Sequence, residues 1–421
     1  MFALVPTAWS QQQPVPRSSA PREVKKIAAV CTVYTPGSHA DAIITKFLAG
    51  FPTDEGLIPP SVKIAALYID QGRADDLGHK LAGHYGVPIY PTIPKALTLD
   101  GPALAVDGVL LVAEHGDYPK NRFGETLYPR ARFAEETFRV FEAAKRTVPV
   151  FLDKHLAYNW LDAKWIYDRA REIDVPMMAG SSVPLAWREP PLDHPPGSRI
   201  TEVVELTYAF PDSYGIHGME VIQCMIEARK GGETGIASVE CVRGKAVYQA
   251  ADEGRFSMDL VEAAAATIAE KKAGKMKDHA RDPTAMIVNY QDGTRATVIF
   301  THEYYGMWWA YAARVNGKIE ATQFIFPRQS TMPTFSYLDL NIQDLFLTGR
   351  PRYPLERTLL CSGIVDAACR SLTAGGKLIS TPYLNIHYQP YDLKPIRPTA
   401  SQPRGATLDP WPPEAIRPLW P

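Results

Sequence analysis

No stretch of this chain approaches the roughly 18 uninterrupted apolar residues that a membrane-crossing helix needs, so no span is expected. An excess of charge of one sign is missing too. The 45 Lys and Arg residues face 46 Asp and Glu, a formal net charge of -1, which offers no cationic footprint for nucleic acid. Cysteine is scarce. Cys31, Cys224, Cys241, Cys361 and Cys369 form no CxxC and no Cys/His cluster at zinc spacing, so they read as reduced, mostly core thiols and no metal is expected. There is no internal repeat. What remains is 421 residues, 46% of them hydrophobic, enough for two or three domains with sizeable cores.

The opening residues 1–24, beginning MFALVPTAW, lack a basic start and run into Gln, Pro and Ser. They read as a disordered leader, with the remnant of an export signal as the alternative; a cytoplasmic location is expected, or export if that alternative holds. From residue 25 to about 180 apolar runs alternate with helical patterns: KIAAVCTVY, SHADAIITKFLAGF, VKIAALYID, ADDLGHKLAGHYG, VDGVLLVAEHG, FAEETFRVFEAAKR, VPVFLDKH and LDAKWIYDRAREID. That alternation predicts a Rossmann-like, doubly wound parallel sheet. Residues 181–390 read differently. AMIVNY and RATVIF flank Asp292-Gly293, WAYAARV and KIEATQFIF flank Asn316-Gly317, and SVECVRGKAVYQ is taken as a further hairpin turning at Arg243-Gly244; such pairs favour two-residue turns. The expectation is an α+β domain with a large, mainly antiparallel sheet covered by helices on one face. Residues 391–421 hold eight prolines and read as a tail that wraps or dangles.

In a doubly wound sheet the ligand lies beyond the carboxyl ends of the strands. Four places qualify. After the first strand, Thr32, Thr35, Pro36, Gly37 and Ser38 form the turn into a helix, with Ser38 and Asp41 as a capping box. The G-x-G-x-x-G fingerprint is absent, because Cys31 and Val33 stand where it wants glycine. Asp70 ends the next strand, where a carboxylate accepts from ribose hydroxyls and favours NAD over NADP. Glu114 and His115 follow VDGVLLV. Asp153 and Lys154 close VFLDKH, where a partly desolvated lysine serves as proton donor or positive anchor. On a later helix, YGIHGMEVIQ sets His217 and Glu220 three apart, the spacing of an acid-base pair. Each also has a bland reading, as a strand-helix turn, loop acid, snorkelling lysine or structural histidine.

In order, these features resemble one family, the NAD(P)-dependent oxidoreductases named for glucose-fructose oxidoreductase, inositol dehydrogenase and MocA (Gfo/Idh/MocA). The resemblance spans about 25–390 and rests on VDGVLLVAEHG, VFLDKHLA, YGIHGMEVIQCMIEARKGGETG and ERTLLCSGIVDAACRSL. The family's Glu-Lys-Pro is matched by Asp153-Lys154-His155. Of its aspartate-then-histidine pair, His217 matches the histidine, while Ser213 stands in place of the aspartate, with Asp212 adjacent. The resemblance implies an enzyme of carbohydrate metabolism holding NAD or NADP on residues 25–180 and acting on a sugar, cyclitol or polyol hydroxyl or carbonyl. His217 would take the proton and Lys154 polarise the oxygen, in a homo-oligomer paired through the large sheet. The alternative is a non-catalytic relative that binds a sugar or nucleotide, or is structural, with its crevice filled by the Val33 to Ser38 side chains or by the inserted segment 116–130.

Overall fold

The computed structural model describes residues 24–74, 76–327 and 332–420; all but the last residue of the expected leader lies outside them. In chain order the first half contains β1 (Lys26–Cys31), α1 (His39–Ala49), β2 (Phe51–Thr53), β3 (Gly56–Ile58), β4 (Lys63–Ile69), α2 (Leu77–Tyr85), α3 (Ile93–Thr98), β5 (Gly108–Val112), α4 (Arg130–Ala144), β6 (Val150–Asp153), α5 (Trp160–Glu172) and β7 (Met177–Gly180). Five strands pair in parallel in the order β4-β1-β5-β6-β7. Because both faces of such a sheet are buried, β5 and β6 are apolar almost throughout and fully covered. Strand order reverses between β1 and β5, which is where a doubly wound sheet opens its crevice.

The second half contains β8 (Trp187–Glu189), β9 (Ile200–Thr207), α6 (Pro211–Ile226), β10 (Ile236–Arg243), α7 (Lys245–Asp252), α8 (Met258–Ala265), β11 (Thr284–Tyr290), β12 (Arg295–Phe300), β13 (Trp309–Val315), β14 (Lys318–Ile325), α9 (Pro333–Thr348), α10 (Leu355–Thr373) and β15 (Ile379–Ser380). Eight strands form one sheet, ordered β15-β10-β11-β12-β9-β13-β14-β8. It is antiparallel except where β12 runs parallel to β9. α6 and α10 bury one face through residues such as Ile222, Met286, Val298 and Ile364. α9 instead packs with α1 beneath the parallel sheet, through Leu338, Ile342 and Phe346.

Local expectations fare unevenly. Asn316 and Gly317 both have positive φ and close β13 onto β14 as a two-residue turn. At Asp292-Gly293 only the glycine does, and the ladder stops at Asn289 with Arg295, so that loop is longer. The hairpin expected at Arg243-Gly244 is overturned. Only Gly244 has positive φ there, and the chain leaves β10 for α7 and α8 before returning as β11. Those helices pack Val247, Leu260, Val261 and Ala264 on Val204, Leu206, Ile287 and Ile299. The large sheet therefore carries helices on both faces, α6 and α10 on one and α7 and α8 on the other, where helices on one face were expected. The C-terminal tail wraps rather than dangles: Leu393 and Ile416 join the core around α1 and α2, and Trp411 sits over Lys46, 5.1 Å from its Nζ.

Candidate functional site

The strand-end rule brings several of the expected residues into one cluster. Lys154, in a left-handed backbone conformation (φ 61) just past β6, sends its Nζ to Glu114 Oε1 at 2.9 Å and to the Ser213 carbonyl at 3.4 Å. Arg130, fully buried, binds the other oxygen of Glu114. Burial alone would raise the Glu114 carboxyl, but Lys154 and Arg130 outweigh it and hold it well below the usual range. Asp153 accepts from, or shares a proton with, His39 Nδ1 at 2.6 Å. His115, with φ 69, accepts the His39 amide on its Nδ1 at 3.3 Å. Burial, then the neighbouring His39, lowers the His115 imidazole to about 4.

His217 reaches the same place from α6. Its Nδ1 meets Ser181 Oγ at 2.5 Å, and burial followed by the Lys154 charge pushes its pKa far down, so it is neutral at pH 7. Glu220 does not pair with His217 directly. It accepts from the Ser181 amide at 2.7 Å and from Thr358 Oγ1 at 2.7 Å, with burial raising its carboxyl to about 7. Ser213 bonds its own turn, and Asp212 turns away to Thr126. Among the described residues no group of three or more His, Cys, Asp or Glu side chains is arranged to hold a metal.

Between the two sheets lies a cavity of about 250 Å³, walled by His39, His115 and His217 and by the rings of Tyr214, Trp309 and Phe335. Tyr214 stacks on Trp309 with centroids 5.8 Å apart. No carboxylate, guanidinium or ammonium lines it among the described residues. Lys154 stands behind the wall, 5.9 Å from the Tyr214 ring centre. Sequence reasoning missed His39, Ser181, Tyr214 and Trp309. His39 and Ser181 follow strands β1 and β7 and obey the strand-end rule, whereas nothing local marks Trp309.

The residues expected to hold a dinucleotide do not fit one. Five of the amides around the start of α1 are already spent: Gly37 on Asp41 Oδ2 (2.9 Å), Ser38 on the Thr35 carbonyl (3.0 Å), Thr35 and Asp41 on Ser38 Oγ, and His39 on His115. Asp41 thus reaches Gly37 rather than completing the expected box with Ser38, and its carboxylate would oppose a phosphate. Pro36 has no amide to give. Thr32 Oγ1 donates to the Glu114 carbonyl at 2.6 Å across the β1/β5 switch point. Asp70, the expected ribose acceptor, instead receives Tyr68, Tyr118 and Arg132. Burial tends to raise its pKa, and the bonds from Tyr118, Tyr68 and Arg132 bring the net shift downward.

No family model matches the chain, and no curated protein matches it in sequence. Solved structures do. The fold is that of the Gfo/Idh/MocA-type oxidoreductases, the resemblance already legible in the motifs. In particular, it is similar to GenD2 from gentamicin A biosynthesis in complex with NAD, at 16% identity over 87% of this chain and 99% of that one, with a TM-score of 0.56. It is similar also to myo-inositol 2-dehydrogenase from Lactobacillus plantarum, at 11% identity over 85% and 99% (TM-score 0.53). A third is scyllo-inositol dehydrogenase from Lactobacillus casei, at 10% over 85% and 98% (0.52). At such identities the likeness is one of fold.

Proposed function

We propose that this chain binds one small uncharged molecule, a sugar, cyclitol or related polyol or its carbonyl form, in the cavity between its two sheets. The observation that carries the reading is the wall itself. Neutral His115 and His217 offer hydrogen bonds to hydroxyl or carbonyl oxygens, and the Tyr214–Trp309 pair offers a flat apolar face. At about 250 Å³ the space sits just under the about 300 Å³ at which ligand sites usually begin, a scale for one ring and not for a dinucleotide. His217 is the wall residue that hydrogen-bonds the ligand's hydroxyl or carbonyl oxygen. Lys154 and Glu114 act from behind, fixing the charge around it.

A second reading keeps the reaction that the family resemblance implies, hydride transfer between a nicotinamide and the hydroxyl or carbonyl of such a compound. It is supported by Lys154 and His217 flanking one cavity in a fold shared with an NAD complex. It requires the segment after β5 to leave its present position, and NAD versus NADP stays open within it.

Calorimetric titration with neutral sugars and inositols, against sugar phosphates and uronates, tests the first reading. Binding confined to neutral compounds and weakened about tenfold or more by His217→Ala is expected, the loss of a buried hydrogen bond with its unpaired partner. Equal binding of charged analogues, or an unaffected His217→Ala variant, overturns it. Reduction of NAD or NADP by any of these polyols selects the second.

A further inference from the structure

The segment after β5, residues 116–129, has no role in the reading above, yet it lies across the place where a dinucleotide would rest. β4 and β5 flank β1 in the sheet, so any contact between residues following β4 and residues following β5 passes over the carboxyl end of β1. There are three. Gln71 Nε2 donates to the Asp117 carbonyl at 2.9 Å, the Asp117 amide donates to Gln71 Oε1 at 2.8 Å, and Tyr118 Oη donates to Asp70 at 2.6 Å. Beneath this arch the packing is close. A Cβ placed on Gly116 would meet Gln71 and Tyr118 at 2.8 Å and Val33 at 3.2 Å.

The far end of the segment is fastened to the other half of the molecule. Asp212, at the start of α6, accepts from the Thr126 amide at 3.3 Å and its hydroxyl at 3.1 Å. Phe123 packs on the core under the large sheet, with the Arg370 guanidinium of α10 4.6 Å from its ring centre. Within the segment, Asn121 caps the amides of Phe123 (2.8 Å) and Glu125 (3.1 Å), and the Asn121 amide donates to the Glu125 carbonyl at 2.9 Å. The loop is thus internally bonded as well as anchored at both ends, unlike a lid held by one contact.

We infer that residues 116–129 are a built-in strap that occupies the dinucleotide crevice and joins the two halves in place of a cofactor, so that the chain binds neither NAD nor NADP. The inference is independent of which small molecule enters the neighbouring cavity. It follows from the chain's own hydrogen bonds: Asp70 and Gln71 are taken by this segment, and the amides of Thr35, Gly37, Ser38, His39 and Asp41 by partners around the helix start.

Two measurements on the full chain test it. Titration with NAD+, NADH, NADP+, NADPH and ADP-ribose, followed by calorimetry and by NADH fluorescence, is expected to give no saturable binding. Saturable binding tighter than about 100 µM by the unaltered chain overturns the inference. Hydrogen exchange read by mass spectrometry on peptides covering 116–127 tests the anchoring. Gln71→Ala and Thr126→Val are each expected to speed exchange there about tenfold, since each removes an anchor without touching the cavity wall. Unchanged exchange in both variants overturns the strap. Failure of the polyol titration would leave both results standing, so the two readings fall separately.

Discussion

The carboxyl edge of the parallel sheet is divided into two unlike regions. Around the start of α1, His115 and the end of β7 it opens into a cavity with His39, His115, His217 and an aromatic wall. Between the end of β4 and the segment after β5 it is bridged by Tyr118 on Asp70 and Asp117 on Gln71. Both regions stand on the same scaffold. The difference teaches that a fold transmits the position of a site and not its contents. Where side chains bond each other across a strand end, as Tyr118 does with Asp70, its polar groups are engaged within the chain.

Glu114 belongs to both regions, so altering it should have the largest effect. Its carbonyl accepts Thr32 on the closed side, and its carboxylate holds Lys154 and Arg130 on the open side. Glu114→Gln leaves two buried cations without a countercharge and is expected to lower stability by about 3–5 kcal/mol. Urea denaturation measures this; a loss below about 1 kcal/mol would mean the network is hydrated and exposed-like. Tyr118→Phe breaks the comparison on one side only. Asp70 keeps Tyr68 and Arg132, so the expected cost is about 1 kcal/mol, with polyol binding unchanged. Equal damage to binding would show that the two regions act as one.

Much of the open region was legible in the sequence, and little of the closed one. Lys154, Glu114, His115, Asp153 and His217 were found because strand ends and a helical spacing point at the crevice, a rule that needs only local pattern. Asp70 was placed correctly at its strand end, yet its partners were invisible. Tyr118 and Asp117 lie 48 and 46 residues from the groups they bind, in a segment without periodicity. Its order comes from Asn121 and from docking on Asp212, which no periodicity encodes. The α7–α8 excursion was missed for a related reason: Arg243-Gly244 has the composition of a turn, while the apolar faces of VEAAAATIAE find their partner only once β9 and β12 are assembled.

A further effect concerns pH and the strap's anchor on α10. Burial, with Asp366 adding its charge, raises the Glu125 carboxyl to about 8. An unfolded glutamate titrates near about 4.3. The folded state therefore keeps a proton that the unfolded state has lost, and this contribution to stability is full below about 4.3 and is lost as pH rises through about 8. Stability should fall over that interval, and Glu125→Gln, neutral throughout, should flatten the fall. Urea midpoints for both proteins at several pH values between about 5 and 9 provide the comparison. Parallel curves would show that Glu125 is ionised in the folded chain and that the strap meets α10 through charge repulsion, which would loosen the closed region and not lock it.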